Sequence, residues 1–348
     1  MAPILQWNLN GFRTHVEELR LLVQDRPLCV SLQETHFKPS DAPVLGGYSL
    51  HRKDDLSGDR AKGGVAVLVN NTYHSVPVLL TTPLQAVAVT MHAHVVVTVC
   101  SVYLPPPEPV DSEALKELIA QLPRPFLLLG DFNAHSVLWG STTTCPRGRV
   151  IEGLTLSEDM ILLNTGHATH FSTATGSSTA IDLSFCSPAL ADTAQWEVDP
   201  DLHGSDHFPI WIHLPDRADP ERRPPRWMLG KADWALYSQL AVFEQRESVQ
   251  DWVDHITSVI HQAADASIPK STGNFKRRPV PWWNDQCRSA IRDRRAAMRR
   301  FKLRPTAENL AAFRVARAKA RRTFKESKKR SWQEFLETIN RSTPSSKV

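Results

Sequence analysis

Cysteine is scarce and badly placed for pairing. Five thiols (Cys29, Cys100, Cys145, Cys186, Cys287) stand singly along 348 residues. Their odd number and wide spacing argue against a disulfide framework or a thiolate zinc site, and predict a reducing compartment. Long apolar runs are also lacking. No stretch approaches the eighteen or so residues that span a bilayer, and Met1 to Leu9 has no basic segment followed by an apolar core. A soluble, intracellular protein with no membrane partner is therefore expected. Internal repeats are absent. What is present is ordinary for a globular chain, with 41% apolar and 22% charged residues, which excludes wholesale disorder. The length suits two domains, or one large domain with an appendage.

The formal net charge of +4 conceals a division along the chain. Residues 1–215 hold 12 Lys/Arg against 22 Asp/Glu, whereas residues 276–348 hold 22 against 6. An acidic body with a basic tail points to a nucleic-acid partner. The pattern of elements divides in the same way. From Ile4 to Leu214, short β-branched runs (Val65–Val69, Val76–Leu80, Val87–Thr90, Val95–Tyr103) alternate with turns at hairpin spacing, which predicts antiparallel strands. Phe126–Leu129 is continuously apolar and suits a strand buried on both faces. Val16, Leu19, Leu22 and Val23, and later Leu115, Leu118, Ile119 and Leu122, repeat at helical spacing. Such a mixture predicts an α+β or layered α/β domain over residues 1–215. Prolines 215, 220, 224 and 225 open a linker and helical segment over residues 216–281. Residues 282–348 read as a basic amphipathic pair of helices interrupted at Pro305.

Six clusters carry the candidate chemistry: Trp7-Asn8-Leu9-Asn10-Gly11, Gln33-Glu34-Thr35, Tyr103-Leu104-Pro105-Pro106, Gly130-Asp131-Phe132-Asn133, Ile181-Asp182-Leu183 and Ser205-Asp206-His207. Most fall where a predicted strand runs into a loop, a common place for catalytic groups. Most have an ordinary reading taken singly: Asn8 and Asn10 as turn formers, Tyr103 as a sheet residue, Asp182 as a strand-end cap and His203 as a surface histidine, while His207 beside Asp206 is a weak signal by itself. Glu34 and the Asp131–Asn133 pair, directly behind apolar strands, are the least ordinary. Together they supply carboxylates (Glu34, with Asp131 or Asp206), amides, a phenol and an imidazole. That set suits magnesium better than zinc. It matches the demands of phosphodiester hydrolysis, in which negative charge gathers on phosphate oxygens.

In this order, across roughly residues 3–214, the six clusters resemble the endonuclease/exonuclease/phosphatase superfamily. The wording Gln33-Glu34-Thr35-His36, Tyr103-Leu104-Pro105-Pro106, Gly130-Asp131-Phe132-Asn133-Ala134-His135 and Ser205-Asp206-His207 is similar to the endonuclease domain of non-LTR (LINE-type) retrotransposon polyproteins. More loosely, residues 282–340, opening on Trp282-Trp283-Asn284, resemble the connector to the reverse transcriptase. The resemblance implies a four-layered sandwich of two packed β-sheets flanked by helices, followed here by a mainly α-helical C-terminal region. It implies Mg²⁺, with Mn²⁺ as a substitute, held by Glu34 with help from Asn8, and Asp206 at a second metal position. Asp131 would orient or deprotonate water, Asn133 would hold the phosphate, and His207, oriented by Asp182, would donate to it. Tyr103 would bond the phosphate or the leaving oxygen, with Asn10, Thr169 and Thr179 as further substrate contacts. The implied reaction is a strand nick leaving a 3′-hydroxyl as primer for reverse transcription. The implied partners are target DNA, element RNA and the reverse transcriptase region of a longer polyprotein, since no Tyr-x-Asp-Asp polymerase signature occurs in this chain. Pro106 stands where abasic-site repair enzymes usually carry asparagine, which weighs against that subclass.

The basic helices present Arg288, Arg292, Arg295, Arg299, Arg321 and Lys329 among their cations, and an anionic partner is expected for so one-sided a segment. Lys276-Arg277-Arg278 and Lys328-Lys329-Arg330 suit nuclear-import signals, so a nuclear or cytoplasmic location is expected. Two rival readings stand beside this one: a repair-type or other phosphodiesterase using the same residues, and a degenerate copy that only binds nucleic acid through its basic helices.

Overall fold

The β-branched runs pair into two six-stranded sheets in the computed structural model, which describes residues 2–55, 61–93, 95–106, 108–214, 227–245, 248–270 and 281–339. In spatial order the first sheet is β13 (Gln195–Val198), β14 (Ile210–Leu214), β1 (Ala2–Asn8), β2 (Cys29–Gln33), β4 (Val65–Asn70) and β3 (Tyr48–Lys53). The second is β5 (His74–Val78), β6 (Gln85–His92), β7 (Val96–Tyr103), β8 (Phe126–Asp131), β12 (Asp182–Cys186) and β9 (Ile161–Leu162). A small hairpin, β10 (His170–Phe171) with β11 (Ser178–Thr179), stands apart from both. Each sheet contains one parallel pair, β1 with β2 and β7 with β8. The strands expected to follow one another as hairpins therefore divide between sheets. Val65–Asn70 is buried throughout and needs a central place, whereas β5 carries Pro77 and exposed residues and takes an edge, where a missing ladder donor costs little.

Helices cover the outer faces. α1 (Phe12–Leu22) sets Phe12, Leu19 and Leu22 against Leu5, Trp7, Val30 and Leu68 of the first sheet. α2 (Ser112–Ala120), capped by the Asp111 side chain on the Ala114 N–H, packs with α3 (Pro146–Ser157) over Cys100, Phe126 and Leu128 of the second. A one-turn helix, α4 (Pro188–Ala191), follows β12. Ile4, Val67, Val69, Val89, Val99, Leu127, Leu129 and Ile212 fill the space between the sheets. This is the expected four-layered sandwich. Towards one end the inner layer becomes polar: Gln6 Nε2 donates to the Gly130 and Leu183 carbonyls at 3.1 and 3.2 Å, and Gln33 Nε2 to Ser101 Oγ at 2.9 Å. These buried bonds fix the two sheets relative to one another where the candidate residues emerge. Gly130 is required there, because a Cβ would collide with the Val102 carbonyl of the neighbouring strand.

The chain divides into two compact units, Met1–Arg217 with Trp282–Val348, and Ala218–Pro281. The second contains α5 (Trp234–Leu240) and α6 (Val249–Ser267), capped by Asp233 and Ser248, with Trp227 Nε1 donating to Asp265 at 2.7 Å. Its expected apolar face, Trp252, Ile256, Val259 and Ile260, is half-buried to exposed. Prolines 215, 220, 224 and 225 and Lys276-Arg277-Arg278 lie outside the described residues. No described helix is long and apolar enough to cross a membrane.

In the first unit, α7 (Asp285–Leu303) and α8 (Ala307–Thr338) are separated at Pro305 as expected and capped by Asn284 and Thr306. Their apolar stripe is not free. Met298, Phe301, Leu310 and Phe313 pack on Phe171, Leu202 and Phe208 of the sandwich, each large side chain contributing roughly 1.5–3 kcal/mol. Nor are all their cations solvated. Arg294, 1% exposed, donates to Glu18 at 2.7 Å and to Asp201 at 2.9 Å, and Arg295 Nε also donates to Asp201 at 2.8 Å. Arg288 pairs with Asp285 of its own helix, and Lys328 with Glu17 at 3.1 Å. Arg292, Arg299, Arg321 and Lys329 remain exposed.

Candidate active site at the polar end of the sandwich

Strand register brings the site together. Tyr103 and Asp182 both stand opposite Asp131, so the ends of β7, β8 and β12 form a level row. Asn8 ends β1 in the facing sheet, with Glu34 one residue beyond β2. Glu34 adopts φ +48°, a left-handed conformation costing of order 1–3 kcal/mol outside glycine. It is held by backbone bonds, Gly11 N–H to the Glu34 carbonyl at 2.8 Å and Thr35 N–H to the Gly64 carbonyl at 3.2 Å. The loop before β14 brings Asp206 and His207, secured by Ser205 Oγ donating to the Asn8 carbonyl at 2.8 Å and Trp7 Nε1 donating to the His207 carbonyl at 2.9 Å.

The side chains converge. Asn8 Nδ2 donates to Glu34 Oε1 at 2.8 Å and to Asp131 Oδ2 at 3.0 Å. His207 Nδ1 meets Asp182 Oδ1 and Oδ2 at 3.0 and 2.8 Å, and its Nε2 lies 3.9 Å from Asp131 Oδ2. Glu34, Asp131 and His207 offer ligand atoms that all lie within 4.8 Å of one another. Burial works against the His207 imidazolium, but Asp182, then Asp131 and Asp206, outweigh it and raise its pKa, so the ring is cationic at neutral pH. Burial, then the Asp182 charge, pushes Asp131 up. Glu34 is held below the ordinary carboxylate range: burial opposes ionisation, and the His36 and Asn8 donors and the His207 charge win. Burial, then the charges of Glu34 and Asp131, raise the Tyr103 phenol, which stays protonated as a donor. One imidazolium thus faces several carboxylates, a buried surplus of negative charge with hard oxygen donors and no thiolate. That donor set fits a divalent hard cation.

Some expected roles change on inspection of the contacts. Asn8, expected beside the metal, uses Oδ1 to accept the Asn10 N–H at 3.0 Å while its amide nitrogen donates to both carboxylates and so orients them. Thr169, expected to touch substrate, is 0% exposed, and its Oγ1 accepts the Ile181 and Asp182 N–H groups at 3.1 and 3.0 Å. It places Asp182 and cannot reach a phosphate. Thr179 Oγ1 bonds His170 Nδ1 at 3.1 Å, and the His170 ring lies 4.7 Å from that of His207. Asp206 stands outside the close trio, held by Asn10 Nδ2 at 3.2 Å. Asn133 Nδ2 donates to the Leu104 carbonyl at 3.2 Å, joining the Tyr103 and Asp131 turns.

Sequence reasoning missed Arg147. From the first turn of α3 its guanidinium donates to the Leu104 carbonyl at 3.1 Å, Phe132 at 2.8 Å, Pro105 at 3.1 Å, and also Glu108, clamping the two turns that carry Tyr103 and Asp131. A lone arginine leaves no pattern in a sequence. His36, bonded to Glu34 Oε2 at 3.3 Å, was legible only as part of the Gln-Glu-Thr-His wording.

Known proteins share this fold and parts of this sequence. Residues 97–211 match the family model described as endonuclease-reverse transcriptase. The endonuclease domain of TRAS1, a telomere-specific non-LTR retrotransposon, superposes with a TM-score of 0.53 at 23% identity, covering 63% of this chain and all of that one. The fold is therefore that of a known endonuclease domain. In sequence the chain is similar to RNA-directed DNA polymerases of mobile elements. It is 28% identical over 277 residues to the probable RNA-directed DNA polymerase of transposon X-element from Drosophila melanogaster, covering 75% of this chain. It is 32% identical over 170 residues to that of the mobile element jockey from the same organism, covering 48%. The chain spans only 30% and 18% of those relatives' lengths.

Proposed function

We propose that this chain is a divalent-metal-dependent DNA endonuclease of a non-LTR retrotransposon, nicking one strand of target DNA to leave a 3′-hydroxyl. The observation that carries the reading is the buried convergence of Glu34, Asp131 and His207, with Asp182 behind the imidazole. Mg²⁺ or Mn²⁺ held by Glu34 would supply a Lewis acid on a phosphate oxygen. The protein's own groups divide the remaining work. Asp131, its proton affinity raised by burial and by Asp182, accepts a proton from the attacking water. His207, cationic and fixed by Asp182 at Nδ1, donates from Nε2 to a phosphate oxygen as charge builds there. As the P–O3′ bond breaks, the Tyr103 hydroxyl hydrogen-bonds the departing oxygen, which takes a proton from solvent, giving a 3′-hydroxyl and a 5′-phosphate. Element RNA and a reverse transcriptase region are the further partners of this reading, and the nucleus, where target DNA lies, is its place of action.

Plasmid nicking by wild type and Glu34→Gln, with and without Mg²⁺, tests the proposal, followed by polymerase extension of the nick. Nicking by wild type alone, at extendable ends, is expected. No nicking by wild type at any divalent concentration would overturn the reading, and faster cleavage of an abasic duplex than of intact DNA would reassign it to repair.

A further inference from the structure

Arg314, Arg317 and Arg321 follow one another along α8 at spacings of three and four, which sets them on one stripe of the helix. The stripe faces the loop joining β10 to β11. Arg314 Nε donates to the Thr173 carbonyl at 2.7 Å and its Nη2 to the Ala174 carbonyl at 2.6 Å. Arg317 Nη2 donates to the Gly204 carbonyl at 2.8 Å and the Ser205 carbonyl at 3.3 Å, while its buried Nε has no hydrogen-bond partner. Between helix and loop lies an open groove of about 610 Å³ lined by Thr173, Ala174, Arg314, Arg317, Ala318 and Arg321.

These three guanidiniums differ from other cations of the same helix. Lys319 meets Asp293 at 3.6 Å, Arg322 meets Glu326 at 2.7 Å and Lys328 meets Glu17 at 3.1 Å. Among the described residues, Arg314, Arg317 and Arg321 form no ion pair, and two of them donate to neutral carbonyls instead. His15 feels that positive charge: burial, then Arg321 and Arg317, hold its pKa down to about 4, while Asp206 offsets part of the charge of Arg317. The groove also adjoins the active site. One wall belongs to the loop between His170 and Thr179, and the other is bonded to the two residues directly before Asp206 and His207.

We propose that this groove is a phosphodiester channel, in which Arg317 and Arg321 hold backbone phosphates of the DNA strand next to the phosphate presented to His207. The proposal deepens the endonuclease reading and rests on it for the identity of the strand. It makes the C-terminal helices part of the substrate-binding surface, complementary in charge to a polyanion. Arg321 is the cleanest probe, being exposed and in contact with His15 Nε2 at 3.5 Å.

The test is the binding of a fluorescein-labelled DNA duplex to the full chain in EDTA, by anisotropy across a salt series, so that no cleavage intervenes. Arg321→Gln is expected to weaken binding and to reduce the slope of log affinity against log salt by about one. Arg321→Lys should restore most of the slope, and Arg322→Gln, on a residue paired with Glu326, should leave it unchanged. An unchanged slope in Arg321→Gln overturns the proposal. So does an equal loss in Arg322→Gln, or a loss seen with single-stranded RNA and not with duplex DNA. Failure here is separable from failure of the nuclease reading: a wild type that nicks while Arg321→Gln keeps the full slope sinks the channel alone. A wild type that never nicks while the slope still falls sinks the nuclease alone.

Discussion

Two clusters of buried charge flank the segment from Asp199 to His207, and they are built on opposite principles. Where α7 docks, Arg294, Arg295 and His203 meet Glu18, Asp199 and Asp201, so cations and carboxylates balance. Asp201 is held down to about 2, with Arg294 outweighing the penalty of burial, and His203 is held up to about 9, with Asp199 and Glu18 outweighing it. At the sheet ends Glu34, Asp131, Asp182 and Asp206 share one cationic histidine. Charge that holds the fold is matched within the chain; charge that serves a reaction is left for reactants to match.

That contrast is open to attack by mutation. The largest effect is expected from Asp131→Asn: strand nicking should fall about 10²–10⁴-fold, while the thermal midpoint measured in chelator holds or rises by a few degrees, because a crowded negative charge is gone. A variant that lost stability together with activity would show that the site's carboxylates are structural. Arg294→Met is expected to do the reverse at the docking face, costing about 3–5 kcal/mol by stranding Glu18 and Asp201. In calorimetry that is a drop on the order of 10 °C, and a drop under 2 °C would place the anchor elsewhere. Arg147→Met should sharpen the line between holding and reacting, lowering kcat about tenfold, or ~1.4 kcal/mol, with little change in DNA affinity; unchanged kcat would remove its positioning role. The smallest effect concerns pH. His203 has a folded pKa above its unfolded value, so its stabilisation is full below about 6.5 and is lost as pH rises through about 9. Midpoints recorded from pH 6.5 to 9.5 should therefore decline in wild type and decline less in His203→Gln.

Local pattern carried the elements well. The apolar run from Phe126 became β8, buried along its whole length, and the interruption at Pro305 separates α7 from α8. Glu34 and Asp131 were conspicuous because a carboxylate directly behind an apolar strand is costly unless it has a purpose. What could not be read was pairing over distance. Arg294 is one arginine in a run of them, and its partner Glu18 lies 276 residues away; nothing in helical spacing separates a buried cation from a solvated one. Thr169 misled for a related reason, since a hydroxyl near a site looks the same whether it faces substrate or, as here, two backbone N–H groups.

The level row formed by Tyr103, Asp131 and Asp182 has an evolutionary corollary. Neighbours along a strand point to opposite faces, so one residue gained or lost within Phe126–Asp131 would turn the carboxylate away from both companions at once. The same length change in the exposed turn at residues 192–193, between α4 and β13, would leave all three in place. Related chains, drifting by small insertions and deletions, should therefore lose the site abruptly when the lesion lands in a strand and diverge freely when it lands in such a turn.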